Sequence, residues 1–218
     1  MAGLTVSVAP TAEPVTRAEA KTFLRIDHSN DDTLIDQLVQ ASREFVEEYT
    51  GRAIMSQTLV LTLDAFDELA DPLWEGTKTG PYKNYYKNYV TLAKAPVRSV
   101  TTVKTYDDDD TATTMASTKY YVDITREPAR VVLRTGETFP TALRVANAIE
   151  VTYVAGYASS GAVPQAIKTA ILQYVSYLYE HRGDMYEAKA SVPSSLGKIL
   201  QPYVVFKGQG SSVYSAIG

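Results

Sequence analysis

The stretch DDTLIDQLVQASREFVEEYTG, residues 31–51, decides how the rest of the chain is read. Leu34, Ile35, Leu38, Val39, Phe45, Val46 and Tyr49 recur at the 3.6-residue period of a helix and fall on one stripe. Ser29 or Asn30 is placed to cap its N-terminus. Asp31, Asp32 and Asp36 sit near the positive end of the helix dipole. Gly51 stands where a helix ends in a left-handed residue. A helix with one apolar stripe must bury it against another element. The nearest suitable stripe lies far along the chain: after Val163-Pro164, residues Ile167, Ala170, Ile171, Tyr174, Val175 and Leu178 keep helical spacing up to Gly183. Proline in the first turn costs no hydrogen bond. A shorter helix precedes residue 31, opened by a Thr16…Glu19 capping box and running through Leu24. The polar break Asp27-His28-Ser29-Asn30 separates the two.

Between the helical zones the period changes to two. β-Branched and aromatic residues crowd into Gln57–Leu63, Tyr89–Ala93, Val97–Tyr106, Lys119–Ile124, Arg130–Leu133 and Ala148–Val154. Tyr120, Val122 and Ile124 alternate with their neighbours, as do Ile149, Val151 and Tyr153. Val97–Tyr106 alternates poorly. Asp107–Asp110 and Arg126-Glu127-Pro128 supply turns. The expected fold is α+β: a helical bundle of N- and C-terminal helices with an inserted antiparallel β domain. Its parts are 14–53 (helical), 55–156 (β insert), 163–206 (helical, packed with 14–53) and a Gly/Ser-rich tail, 207–218. After Pro193 comes a short helix, Ser195–Leu200, stopped by Pro202.

Composition narrows the function. In 218 residues, 45% are hydrophobic and 21% charged, ordinary values for a soluble globular chain. There are no cysteines, which removes disulfides, thiolate metal sites and a cysteine nucleophile and suits a reducing cytoplasm. The opening residues MAGLTVSVAPTAEPVT have neither the basic start nor the apolar core of a signal peptide. No apolar run approaches the roughly 18 residues that span a bilayer, so no membrane association is expected. Net charge is −4, and Lys83, Lys87 and Lys94 are the nearest thing to a basic cluster. Tight gripping of nucleic-acid phosphates needs more than that.

The candidate sites are few. Four consecutive carboxylates, Asp107–Asp110, lack the alternate spacing, glycine bend and distal Glu of a calcium loop and read as a solvated hairpin tip. His28 and His181 are the two histidines; neither neighbours a nucleophile-elbow sequence, and His181 suits the last turn of a helix. Gly76, Gly80, Gly156 and Gly161 match no nucleotide-binding pattern. The expectation is therefore no catalytic, cofactor or metal residues, and no cofactor. Two segments instead suggest contact surfaces. Tyr82, Tyr85, Tyr86 and Tyr89, interleaved with lysine and asparagine, suit a subunit or distal protein interface; stacking on single-stranded nucleic acid and a twisted β-ribbon are the alternatives. Tyr203, Val204, Val205 and Phe206, with Tyr214 and Ile217 of the tail, put bulky apolar side chains directly after a helix stop. Such side chains either fold back onto the helices or add to a partner's surface.

Several segments together resemble the tailed-phage head–tail connector family (adaptor or head-completion proteins). They are T-x-A-E-A-K-x-x-L-R-I-D-H (16–28), D-D-x-L-I-D-x-L-V-x-A-S-R-E-x-V-E-E-Y-T-G-R (31–52) and A-I-M-S-Q-T (53–58). Further along stand Tyr121-Val122-Asp123, Pro128-Ala129-Arg130-Val131, Val151-Thr152-Tyr153-Val154-Ala155-Gly156-Tyr157, V-P-x-x-I-x-x-A-I-L from Val163, Tyr179-Glu180-x-Arg182 and Leu200-x-Pro202-Tyr203. The resemblance covers roughly residues 14–206. Val204 stands where the family pattern has a basic residue, and 81–89 is a local elaboration.

That resemblance implies a non-enzymatic virion subunit at the head–tail interface, made in the host cytoplasm. It implies a ring of about twelve copies under the portal protein that extends the DNA channel. Tyr203, Val204, Val205, Phe206, Tyr214 and Ile217 then become the candidate portal or neighbour interface. The next connector or tail-completion protein would be the distal partner, and genomic DNA would pass without tight binding. Rival readings are a protein- or carbohydrate-binding module and a small hydrolase using His28 or His181.

Overall fold

The computed structural model describes residues 3–66, 89–182 and 194–205. These form two compact units. One contains residues 10–56, 157–182 and 194–204; the other contains 3–9, 57–66, 89–156 and 205.

The first unit is helical. Helix α1 (Arg17–Leu24) opens with the capping box expected from the sequence: the Thr16 hydroxyl accepts from the Glu19 backbone N–H at 3.2 Å, and Glu19 accepts from the Thr16 N–H at 2.7 Å. Helix α2 (Asp32–Thr50) has Asp31 at its N-cap position, one or two residues later than expected and without a side-chain capping bond, and Gly51 closes it at φ 66°. Glycine adopts that left-handed geometry at the least cost. Helix α3 (Gln165–Glu180) follows Pro164, which is its N-cap, and α4 (Ser194–Leu200) leads into a 3₁₀ turn, Gln201–Tyr203. Ile35, Val39 and Val46 of α2 meet Ile167, Ala170, Ile171 and Val175 of α3 in one cluster with Ala20, Leu196 and Leu200. Burying each large aliphatic side chain contributes about 1.5–3 kcal/mol. The α2 stripe therefore finds its partner about 130 residues away in sequence.

The second unit is all antiparallel strand pairs. Strands β1 (Gly3–Val8), β2 (Gln57–Leu63), β8 (Ile149–Ala155), β4 (Val97–Tyr106) and β5 (Ala112–Thr114) form a five-stranded sheet in the order β1-β2-β8-β4-β5. β3 (Tyr89–Thr91), β7 (Arg130–Leu133) and β6 (Tyr120–Asp123) form a second sheet in that order. Alternate residues are buried along β2 (Leu59, Leu61, Leu63) and β8 (Ile149, Val151, Tyr153). Tyr153 is fully buried, and its hydroxyl donates to the Ala93 carbonyl just beyond β3 at 2.7 Å. Register shifts between Val97 and Ser99 and between Val100 and Thr102 interrupt β4, which is why that segment alternates poorly in sequence.

The chain leaves the helical unit after Ser56 and returns at Tyr157. Met55 and Tyr157 form a parallel bridge, and the Tyr157 N–H donates to the Ile54 carbonyl at 3.2 Å. The outgoing and returning segments therefore lie side by side, which lets a hundred-residue insert leave the helical core closed.

Candidate functional site

The C-terminal candidate surface is partly in view. Tyr203 is half-buried against the helical core, and its carbonyl accepts from the Arg52 Nε at 2.5 Å. Arg52 follows Gly51, so the turn that ends α2 also holds the chain after α4. Val204 is 37% exposed, whereas Val205 is buried. Phe206, Tyr214 and Ile217 lie outside the described residues. The apolar run after Pro202 is thus divided, with Tyr203 and Val205 covered and Val204 turned outward.

Of the tyrosine-rich segment, Tyr82, Tyr85 and Tyr86 lie outside the described residues. Tyr89 stands on β3, half-buried, with the Arg130 guanidinium 5.3 Å from its ring centre. Arg130 also donates from Nε to Asp123 at 2.9 Å, so Tyr89 flanks an ion pair on the three-stranded sheet. Lys94 lies just past β3 at φ 56°, and Lys83 and Lys87 are outside the described residues.

The carboxylate run forms the turn between β4 and β5. Asp107 Oδ1 accepts the backbone N–H groups of Asp109 (3.1 Å) and Thr111 (2.8 Å). Asp110, at φ 60°, pairs with Arg144 at 2.9 Å, and the Arg144 guanidinium lies 4.2 Å from the Tyr106 ring centre. Asp107 thus serves turn closure and Asp110 one arginine. His28 is exposed in the break before α2. His181 terminates α3, with Nδ1 2.8 Å from the Tyr177 carbonyl. Among the described residues no three His, Cys, Asp or Glu side chains gather as metal ligands would. No helix among them is long and apolar enough to cross a membrane.

Two features escaped the sequence reading. The first is a buried polar network at the end of α2. Arg43 and Glu47 are both 5% exposed and lie 3.5 Å apart; Arg43 Nε also donates to Glu13 at 2.8 Å, and Glu47 accepts the Ile54 N–H at 2.8 Å. The network ties the last turns of α2 to the chain at Glu13 and at Ile54. The second is a line of stacked rings on α2 and α3. Tyr49, placed on the buried stripe by periodicity, is 39% exposed and belongs to it. Phe45 and Tyr49 at i, i+4 and Tyr174, Tyr177 and His181 at i, i+3, i+7 were the available signals.

At the α1–α2 corner, Lys21 bonds Asp32 at 2.7 Å, and Arg17 pairs with Asp36 and, at 3.4 Å, with Asp32. The hydrogen bond from Lys21 holds the Asp32 carboxyl below its ordinary range, and the one from Arg17 does the same for Asp36. The Tyr179 hydroxyl donates to Asp31 at 2.5 Å, which raises the phenol above its usual range. All of these contacts tie helices together.

An α+β chain whose polar groups brace helices and turns, and whose surface carries aromatic side chains, has the character of a structural assembly subunit. The sequence matches the head completion protein family over residues 14–203, and the chain belongs to that family. Its role is structural, in the head–tail connector. No curated protein matches it. Among solved structures, a chain from the neck of an empty gene transfer agent particle, computed with C6 symmetry, is similar at a TM-score of 0.70. It is 20% identical, over 94% of this chain and 96% of that one. A chain from the virion of a native gene transfer agent particle gives 0.71 at 19% identity, with the same coverage. A chain from the neck of a native particle computed with C12 symmetry gives 0.65 at 21% identity, over 95% and 96%. These likenesses cover both units of the fold.

Proposed function

We propose that this protein is the connector's adaptor, a ring of about twelve copies seated under the portal protein, which extends the DNA channel and carries the next connector or tail-completion protein. Family membership carries the reading, and the C12 and C6 symmetry of the particle necks that hold similarly folded chains supports the ring. The helical parts, 14–53 and 163–206, serve as the ring-forming body, with 55–156 as an inserted β domain and 207–218 as a separate tail. Net charge of −4 suits a channel through which DNA slides, because phosphates meet little that binds them. The protein works by contact and has no reaction to perform.

The attachment surface is the segment from Tyr203 onward. Val204 stays outward beside two covered neighbours, Tyr203 and Val205. Such an arrangement anchors the start of the tail and leaves its remainder to reach a partner. Tyr214 and Ile217 supply apolar side chains there, and Tyr82, Tyr85, Tyr86 and Tyr89 serve a second, distal or inter-subunit surface. Deleting 207–218 is expected to leave the melting temperature nearly unchanged and to weaken attachment to portals, read by co-sedimentation with portal-bearing heads. A truncated protein that still attaches and restores infectivity to a phage lacking the gene contradicts the assignment of the tail.

A further inference from the structure

The α2–α3 pair has two faces, and they are treated differently. Helix α1 covers one: Arg17 and Lys21 reach Asp36 and Asp32 of α2, and Glu19 feels the charge of Lys168 on α3. At 100° per residue, Phe45 and Tyr49 lie roughly 100–180° around α2 from those aspartates. Tyr174, Tyr177 and His181 lie roughly 120–180° around α3 from Lys168. Both helices thus turn these rings to the face that α1 leaves open.

The rings form one continuous stack. Phe45 lies 4.2 Å from Tyr174 and 6.2 Å from Tyr49, centre to centre; Tyr174 to Tyr177 is 6.1 Å and Tyr177 to His181 is 4.4 Å. Phe45, Tyr174 and Tyr177 are half-buried, and Tyr49 and His181 are exposed. Each end has a close neighbour. A Cβ on Gly197 of α4 would stand 3.0 Å from the Tyr49 hydroxyl, so only glycine leaves that ring its seat without displacement. At the other end the His181 imidazole is held on the Tyr177 carbonyl at 2.8 Å. A pre-ordered, half-exposed aromatic strip loses little entropy on docking, which is the character of an interface hot spot.

We infer that this strip is the docking surface for a second copy of the chain, and that it receives the exposed flank of the neighbour's α1, with Phe23 as the inserted side chain. The inference rests on the proposed ring and names the contact that builds it. Phe23 is 45% exposed on a flank of α1, about 200° around the helix from Lys21, which points to α2, and one turn from the exposed Glu19. Charge agrees: Glu180 is exposed along the strip and Glu48 is half-buried there, beside Glu44, which already pairs with Arg43 at 3.4 Å, whereas exposed Arg25 follows Phe23 by two residues. Opposite charges at an interface rim set register and steer encounter. Because two different surfaces of the chain meet, the contact is heterologous, and such contacts close into a ring when the rotation between neighbours allows it.

The chain has no cysteine, so introduced thiols report without background. Phe23→Cys and Tyr177→Cys chains, each checked for unchanged melting, are incorporated into particles and oxidised. Particles built with the doubly substituted chain are expected to yield a ladder of covalent multimers on denaturing gels. Mixtures of the two single variants should yield dimers only, and either single variant alone only monomers. Dimers from Tyr177→Cys alone would mean a two-fold contact and overturn the proposal, as would crosslinks to the portal protein in place of a second copy. A ring visible in the particle but without multimers sinks this interface and leaves the connector reading intact. Absence of the protein from particles sinks both.

Discussion

Ile171 has no exposed surface and stands among Ile35, Val39 and Val46 of α2 and Leu196 and Leu200 of α4. Aspartate there buries an unpaired charge in an apolar site, so Ile171→Asp is expected to destabilise the protein by several kcal/mol. A soluble variant with unchanged melting would show that α3 is not the partner of the α2 stripe. Glu47 acts in the opposite chemical sense. It faces Arg43 and the Ile54 N–H while almost fully buried, and Glu47→Ala leaves a buried guanidinium and an amide short of an acceptor. A loss of roughly 3–5 kcal/mol is expected, tempered by the Arg43–Glu13 bond, and chemical denaturation measures it. Ile171 was legible because a stripe repeats. Arg43 and Glu47 were not, since charged residues in a helix pattern ordinarily mean solvent and only tertiary contacts bury them.

Elements differ in how much of their cause is local. The Thr16–Glu19 box and Gly51 are decided within four residues, and both stand where the sequence put them. Strands β1 and β5 escaped notice: each is an edge strand, mostly exposed and threonine-bearing, and exists through pairing with β2 or β4 far along the chain or across a turn. The α1–α2 corner carries a prediction of its own. Asp32, Asp36 and Glu19 titrate below their ordinary values in the folded protein, Asp32 and Asp36 through Lys21 and Arg17, Glu19 through the Thr16 N–H and hydroxyl. Groups depressed on folding stabilise the fold above their unfolded pKa, about 4, and that stabilisation fades as pH falls through the depressed folded values. The melting temperature should hold from pH 7 to about 5 as far as these groups are concerned, and decline below about 4. Asp36→Asn should flatten that decline; an acid branch identical to that of the parent would show that the corner does not contribute.

For the whole molecule, the fold class was legible because two helical stripes had no local partner and a period-two zone stood between them. The candidate surfaces were legible only as composition. A run such as Tyr203–Phe206 announces apolar area, but which of its members turns outward depends on contacts such as Arg52 with the Tyr203 carbonyl. The aromatic strip had the same defect: in sequence its rings look like more core. Its energetics bear on assembly. A strip of five rings, several half-buried already, leaves limited further apolar area for a neighbour to cover, and association must first offset several kcal/mol of lost translational and rotational freedom. Under the proposed attachment to the portal that loss is reduced, because tethered neighbours meet at high effective concentration. The isolated protein is therefore expected to be monomeric or weakly associated, with closed rings appearing on portals by mass action. Light scattering at micromolar concentration should give a mass near that of one chain, 23.9 kDa. A stable dodecamer without portal would contradict this coupling and place the ring-forming energy wholly within the subunit contacts.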